Sequence, residues 1–191
     1  YKTRVSMRSG IVYIVFLWCA SVWSQAATES MKTTNEQSLK QIFAAPVLQA
    51  YQENSDIKIQ ELFFYLQQLT QPGLEPSLRH EMETACLALF VNEETLVVDL
   101  TSPTPTLLPI ATLLQKLAQS APIQITVSER VKYNTVTYRS WTCGYTIGCV
   151  QNGSSREYAI SQIVFFQLLP QQFGTHQQQT YQDRLGAMEL R

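Results

Sequence analysis

The sequence predicts an α+β domain with an N-terminal helical hairpin packed on a mixed or antiparallel sheet. Three observations carry that reading. Apolar residues recur at 3.6-residue spacing between Leu39 and Leu69. Alternating, strand-prone residues fill Ile123–Val127, Val131–Arg139 and Glu157–Leu169. An Asn152-Gly153 pair, which supports the positive φ values of a hairpin turn, separates two of the strand-like runs. Helices first and strands after is the order of a segregated α+β fold. At 191 residues, the chain suits one domain with appendages.

The N-terminus has the three parts of a secretory signal peptide. Lys2, Arg4 and Arg8 form a basic flank, Ile11 to Trp23 is an apolar run, and Ser24-Gln25-Ala26 offers small residues for cleavage. Residues 1–26 are therefore expected to leave. An uncleaved anchor is the alternative, although a span needs roughly 20 apolar residues. Cleavage removes three of the 14 basic residues and no acid, leaving 11 against 15 acidic ones. Export places the rest in the periplasm or outside the cell, where disulfides are permitted. Residues 27–36 are polar and without period, which reads as a flexible lead.

The domain proper is expected over 37–170. From Ser38, the residues Leu39, Ile42, Phe43, Val47, Ala50 and Tyr51 share one helical face, interrupted by Pro46. Asn54-Ser55-Asp56 reads as a capping cluster that starts a second helix. There Ile59, Leu62, Phe63, Leu66 and Leu69 form the apolar face, broadened by Phe64 and Tyr65, and Gln71-Pro72-Gly73 ends it. Two such helices make an αα-hairpin. A short helix from Ser77 passing into a strand near Cys86 follows, then a strand at Leu96–Leu100. Leu107 to Gln119 is the firmest helix, with Ile110, Leu113, Leu114 and Leu117 as its buried stripe. Leu62, Phe63, Leu66, Leu113, Leu117, Ile125 and Phe165 are expected in the core. Residues 171–191 are rich in glutamine and lack a period, which reads as a flexible tail.

Pro105–Val127, with Leu-Gln-Lys-Leu-Ala-Gln-Ser before Ile-Gln-Ile-Thr-Val, resembles the βαβ segment of the short N-terminal domains of secretins and TonB-dependent receptors. The opening half of OmpA-like domains is similar. Ser128-Glu129-Arg130 stands where the OmpA-like motif carries Gly-His-Thr-Asp, so no binding residue is implied by either resemblance.

Cys86, Cys143 and Cys149 remain after export. Cys143 and Cys149 enclose a segment with Gly144 and Gly148, glycines that permit a turn, so a Cys143–Cys149 bridge closing a hairpin tip is expected. Cys86 paired to one of them is the alternative. Tyr138, Trp141 and Tyr145 beside that tip form the candidate recognition surface, with strand packing as the plainer reading. The sequon Asn152-Gly153-Ser154 matters only in a eukaryotic secretory route.

Chemistry is sparse. His80 and His176 are the only histidines, and Cys86 lies in an apolar run where an inert thiol is expected. No serine elbow, His-Glu-x-x-His or phosphate-cradling loop occurs. Glu81, Glu83, Glu93, Glu94 and Asp99 could furnish an acid/base pair as in glycoside cleavage, with solvated carboxylates near a turn as the plainer reading. No catalytic residue, cofactor or metal site is assigned. A net charge of −1 gives no support for nucleic-acid binding. The expectation is an exported non-catalytic binding module for a protein partner, an accessory component of a bacterial envelope or secretion assembly. The alternatives are a small secreted enzyme or effector, and a secreted inhibitor presenting the Cys143–Cys149 loop.

Overall fold

One long helix carries the apolar face on which the sheet is assembled. A short α1 (Leu39–Ile42) precedes α2 (Ala45–Gln68), which runs unbroken for 24 residues in the computed structural model. The structure describes residues 39–128, 133–134 and 136–191. The expected signal segment 1–26 and lead 27–36, and Val131, Lys132 and Thr135 of the Val131–Arg139 run, lie outside the described residues.

The expected break at Asn54-Ser55-Asp56 does not occur, so the helical hairpin expected over Ser38–Leu69 is not formed. Pro46 sits in the first turn of α2, where a missing N–H costs little. Asn, Ser and Asp are only mildly unfavourable inside a helix, by less than about 1 kcal/mol each, and here Asn54 and Ser55 are held by tertiary bonds to Asp183. Ser55 Oγ donates to Tyr51 O, one turn back, and to Asp183 Oδ2. Leu48, Ile59, Leu62, Phe63 and Leu66 form the buried stripe. Gly73, at φ +77°, supports the turn that leads to α3 (Pro76–Ala88), and Arg79 Nη1 ties that helix back to Leu69 O at 2.9 Å.

Cys86 is the buried residue of α3, rather than the start of a strand. The apolar run behind it leaves the helix and meets the sheet through a single parallel bridge, Phe90 to Leu185. β1 (Leu96–Val98) and β2 (Leu107–Pro109) form a separate two-stranded antiparallel sheet. The helix expected from Leu107 begins only at Ile110, as α4 (Ile110–Leu117). Proline disfavours helical backbone at the residue before it, and Pro109 itself is extended at ψ 141°. Leu107–Pro109 therefore pairs as a strand. Ile110, Leu113, Leu114 and Leu117 are buried as expected.

The main sheet is antiparallel throughout. Its order is β3 (Ile123–Ser128), β5 (Ser140–Gln151), β6 (Ser154–Phe173), β7 (His176–Leu190), with β4 (Tyr133–Asn134) also beside β5. Consequently β1, α4 and β3 do not form a parallel crossover. Asn152 and Gly153 both have positive φ, the signature of a type I′ turn joining β5 to β6. Residues 171–191 are not a flexible tail: they complete β6, turn at Gly174 and return as β7.

The inner face of the sheet carries Trp141, Cys143, Tyr145, Ile147 and Cys149 from β5 and Tyr158, Ile160, Gln162, Val164 and Phe166 from β6, all buried. A bulge opposite Gln162–Val164 lets both Leu185 and Met188 of β7 face the core. Of the expected core residues, Leu62, Phe63, Leu66, Leu113 and Leu117 are buried, whereas Ile125 and Phe165 are only partly so.

Candidate functional site

The expected disulfide-closed tip does not exist. Cys143 and Cys149 both lie within β5 and all three described cysteines are free and buried. Six residue steps along an extended strand set their Cα atoms about 20 Å apart, whereas a disulfide needs less than about 7 Å. An even spacing puts both thiols on one face without bringing them together. Their glycine and threonine neighbours are strand residues of the opposite face. Trp141 and Tyr145 consequently belong to the core; of the three residues expected on a recognition surface, Tyr138 is the exposed one, beside Arg139.

The buried thiols are unreactive by environment. Burial pushes Cys143 up to about 12, with the charges of Asp56 and Asp183 adding to it. Burial raises Cys86 to about 12, and Glu83 adds to it. Cys149 is raised to about 11 by burial, partly offset by Arg156. A thiol held that high is not a nucleophile near neutrality. Tyr145 is also pushed well above its usual value by burial, and its hydroxyl donates to Gln162 Oε1 at 2.7 Å. Gln162 in turn donates to Gly186 O, so this buried polar pair is satisfied.

Two buried carboxylates pin the fold. Asp183, in the segment expected to be mobile, accepts from Asn54 Nδ2 at 2.8 Å, Ser55 Oγ at 3.2 Å and Lys58 Nζ at 2.7 Å. Asp99 accepts from the backbone N–H and hydroxyl of Thr101 at Oδ1 and from Lys116 Nζ at Oδ2. Arg156 anchors the loop after β1 through Leu100 O and Ser102 O. These groups are tied to one another rather than aimed at a ligand. His80 and His176 are exposed on separate elements, and Glu81, Glu93 and Glu94 are exposed while Glu83 is half-buried. Among the described residues no group of three or more His, Cys, Asp and Glu side chains could hold a metal ion, and no helix is long and apolar enough to cross a membrane.

What does open to solvent with mixed chemistry is a cleft of about 300 Å³ between α2 and β3. Helical spacing brings Asp56, Ile59, Gln60, Phe63, Phe64 and Gln67 to one side of it, and Ile125 and Val127 line the other. Phe64, expected to widen the buried face, is 55% exposed, because the stripe from Ile59 to Leu66 already fills the contact with the sheet. At one end the β3 edge is closed by α2 and the turn after it: Gln67 Oε1 accepts from Ile125 N at 2.9 Å and Thr70 Oγ1 from Ile123 N at 3.0 Å. At the other end, Asp56 Oδ1 is buried without a hydrogen-bond partner among the described residues. The cleft therefore offers a carboxylate, two amides and two aromatic rings. The sequence marked Asp56 only as part of a cap. The one local sign was the run Phe63-Phe64-Tyr65, too wide for a single buried stripe. Comparison of the chain with protein-family models, curated proteins and solved structures finds no match to any of them.

Proposed function

We propose that this chain is an exported, non-catalytic binding module, an accessory component of a bacterial envelope or secretion assembly, and that its recognition site is the α2–β3 cleft. Export rests on the N-terminal segment, with cleavage after Ala26. The non-catalytic reading is supported by the protonated, buried thiols and by the pairing of the buried Asp99 and Asp183 with Lys116 and Lys58.

One observation carries the site: an unpartnered carboxylate oxygen of Asp56 at the end of a cleft walled by Phe63 and Phe64. A cleft of this size takes a single side chain. Lysine or arginine from a protein partner fits it, with the apolar stem on Ile59 and the rings and the cationic head at Asp56. A desolvated carboxylate gains most from such a donor. The exposed Phe64 supplies the aromatic anchor typical of interface hot spots.

The test is affinity capture from the native envelope fraction with wild type, Asp56→Asn and Phe64→Ala, each first shown to melt like wild type. Loss of the same captured protein in both variants supports the site. Undiminished capture by both refutes it.

A further inference from the structure

A second surface, independent of the cleft, is the far end of the β6–β7 hairpin. β5 stops opposite Phe165, so residues 167–173 and 176–182 continue as a two-stranded ribbon beyond the sheet. The hydrogen bonds at its base settle which backbone groups face outward. On β7, Leu185 donates to Leu89 O and accepts from Val91 N, and Asp183 O accepts from Lys58, so both residues point away from β6. Two-residue alternation carries that outward set to Tyr181, Gln179 and Gln177. On β6, Phe166 N donates outward to Arg139 O, which places Leu168, Pro170 and Gln172 on the opposite outer edge.

The two edges are not equally protected. Pro170 occupies an outward position on β6 and has no N–H to give, one of the ways in which sheet edges are closed to pairing. Nothing comparable guards β7. Residues 167–182 contain no Asp, Glu, Lys or Arg, and Gln177, Gln179 and Tyr181 are exposed, Tyr181 by 43%. Their outward N–H and C=O groups have no partner among the described residues. The ribbon is nevertheless firmly seated: Phe166 and Tyr181 stack at 4.8 Å, and Phe43 packs edge-on against both.

We infer that the β7 edge pairs with the β7 edge of a second copy of this chain, antiparallel about a two-fold axis at Gln179. Gln179 then faces its own equivalent, and Gln177 faces Tyr181 of the other copy. Three narrow pairs, each exchanging two bonds, give about six backbone hydrogen bonds. An uncharged edge is self-complementary, since no like charges meet across the axis. Because Pro170 closes the other edge, addition stops at two copies, and the contact is an isologous dimer instead of a filament.

The experiment is sedimentation of the purified full chain across a concentration series, with Gln179→Lys and Gln179→Cys alongside. Wild type is expected to shift from monomer to dimer with concentration. Gln179→Lys places like charges directly opposite each other and is expected to lose the dimer, while melting like wild type at dilutions where both are monomeric. Cα atoms in a narrow antiparallel pair lie about 5.5 Å apart, within disulfide reach. Gln179→Cys is therefore expected to form a covalent dimer on oxidation, linked at that position by peptide mapping, while Gln172→Cys on the guarded edge is not. A monomeric wild type at every concentration, a Gln179→Lys variant that dimerises as well as wild type, or equal cross-linking from both cysteine variants overturns the inference. Equally, finding the edge occupied by a different chain, or by residues 1–38 of the same one, overturns it. None of these readouts depends on the α2–β3 cleft.

Discussion

Replacing Lys116 by methionine tests how a buried carboxylate holds the small β1–β2 sheet to α4. Asp99 follows β1 directly and its side chain is 2% exposed. Thr101 supplies two donors to Oδ1, at 2.9 Å and 2.6 Å, and Lys116 supplies the one donor to Oδ2 among the described residues, at 2.7 Å. Methionine keeps the apolar stem and leaves Oδ2 without a partner. Removing one member of a fully buried ion pair costs about 3–5 kcal/mol. Here Lys116 is 47% exposed, so water can reach the vacated position. The expected loss is about 1–3 kcal/mol at pH 7, within the range for an unsatisfied buried acceptor.

Acid titration separates this electrostatic effect from lost packing. Burial alone would raise the Asp99 carboxyl, but the bonds from Lys116 and Thr101 outweigh it and hold the group below its usual range. A carboxyl depressed in the folded state stabilises the fold above its unfolded value, near 4, and that contribution disappears as pH falls through the folded value. The difference between wild type and Lys116→Met is therefore expected to shrink below about pH 4. Urea unfolding followed by circular dichroism, at pH 7 and again at pH 3, measures both quantities. A loss under about 0.5 kcal/mol at pH 7, or a larger loss that persists unchanged at pH 3, refutes the reasoning.

Leu113→Ala, at a residue only 1% exposed, is expected to cost about 2–5 kcal/mol in the same unfolding assay. Tyr145→Phe removes the buried donor to Gln162 and is expected to cost about 1–3 kcal/mol. Thiol labelling at pH 8 is expected to leave Cys86, Cys143 and Cys149 unmodified in the native protein and to modify all three in denaturant, and non-reducing peptide maps should contain no Cys143–Cys149 link. N-terminal sequencing of the exported form is expected to begin at Ala27, and a mature chain still carrying Tyr13–Trp23 makes the anchor the better description.

Local chemistry was sufficient for much of this fold. The Ile110–Leu117 stripe declares itself because an amphipathic period is written in consecutive residues. Asn152-Gly153 declares its turn because few other dipeptides accept two positive φ angles. The α+β class followed from the segregation of the two periods along the chain. Three features were decided only in the tertiary structure. Asn54–Asp56 stays helical because Asp183, far along the chain, binds two of the side chains that would otherwise cap a break. Cys143 and Cys149 are even-spaced in a strand, a pattern that sequence alone cannot distinguish from two ends of a closed loop; pairing of β5 with β3 and β6 extends the segment and keeps the thiols apart. Residues 171–191 show no burial period over their glutamines because the ribbon is polar on both faces, so its order comes from pairing with β6 and from the Phe43–Phe166–Tyr181 cluster. The cleft shares that origin. Phe63 is buried and Phe64 is exposed because the sheet accepts only one stripe of α2, and no residue-by-residue period says where that stripe ends.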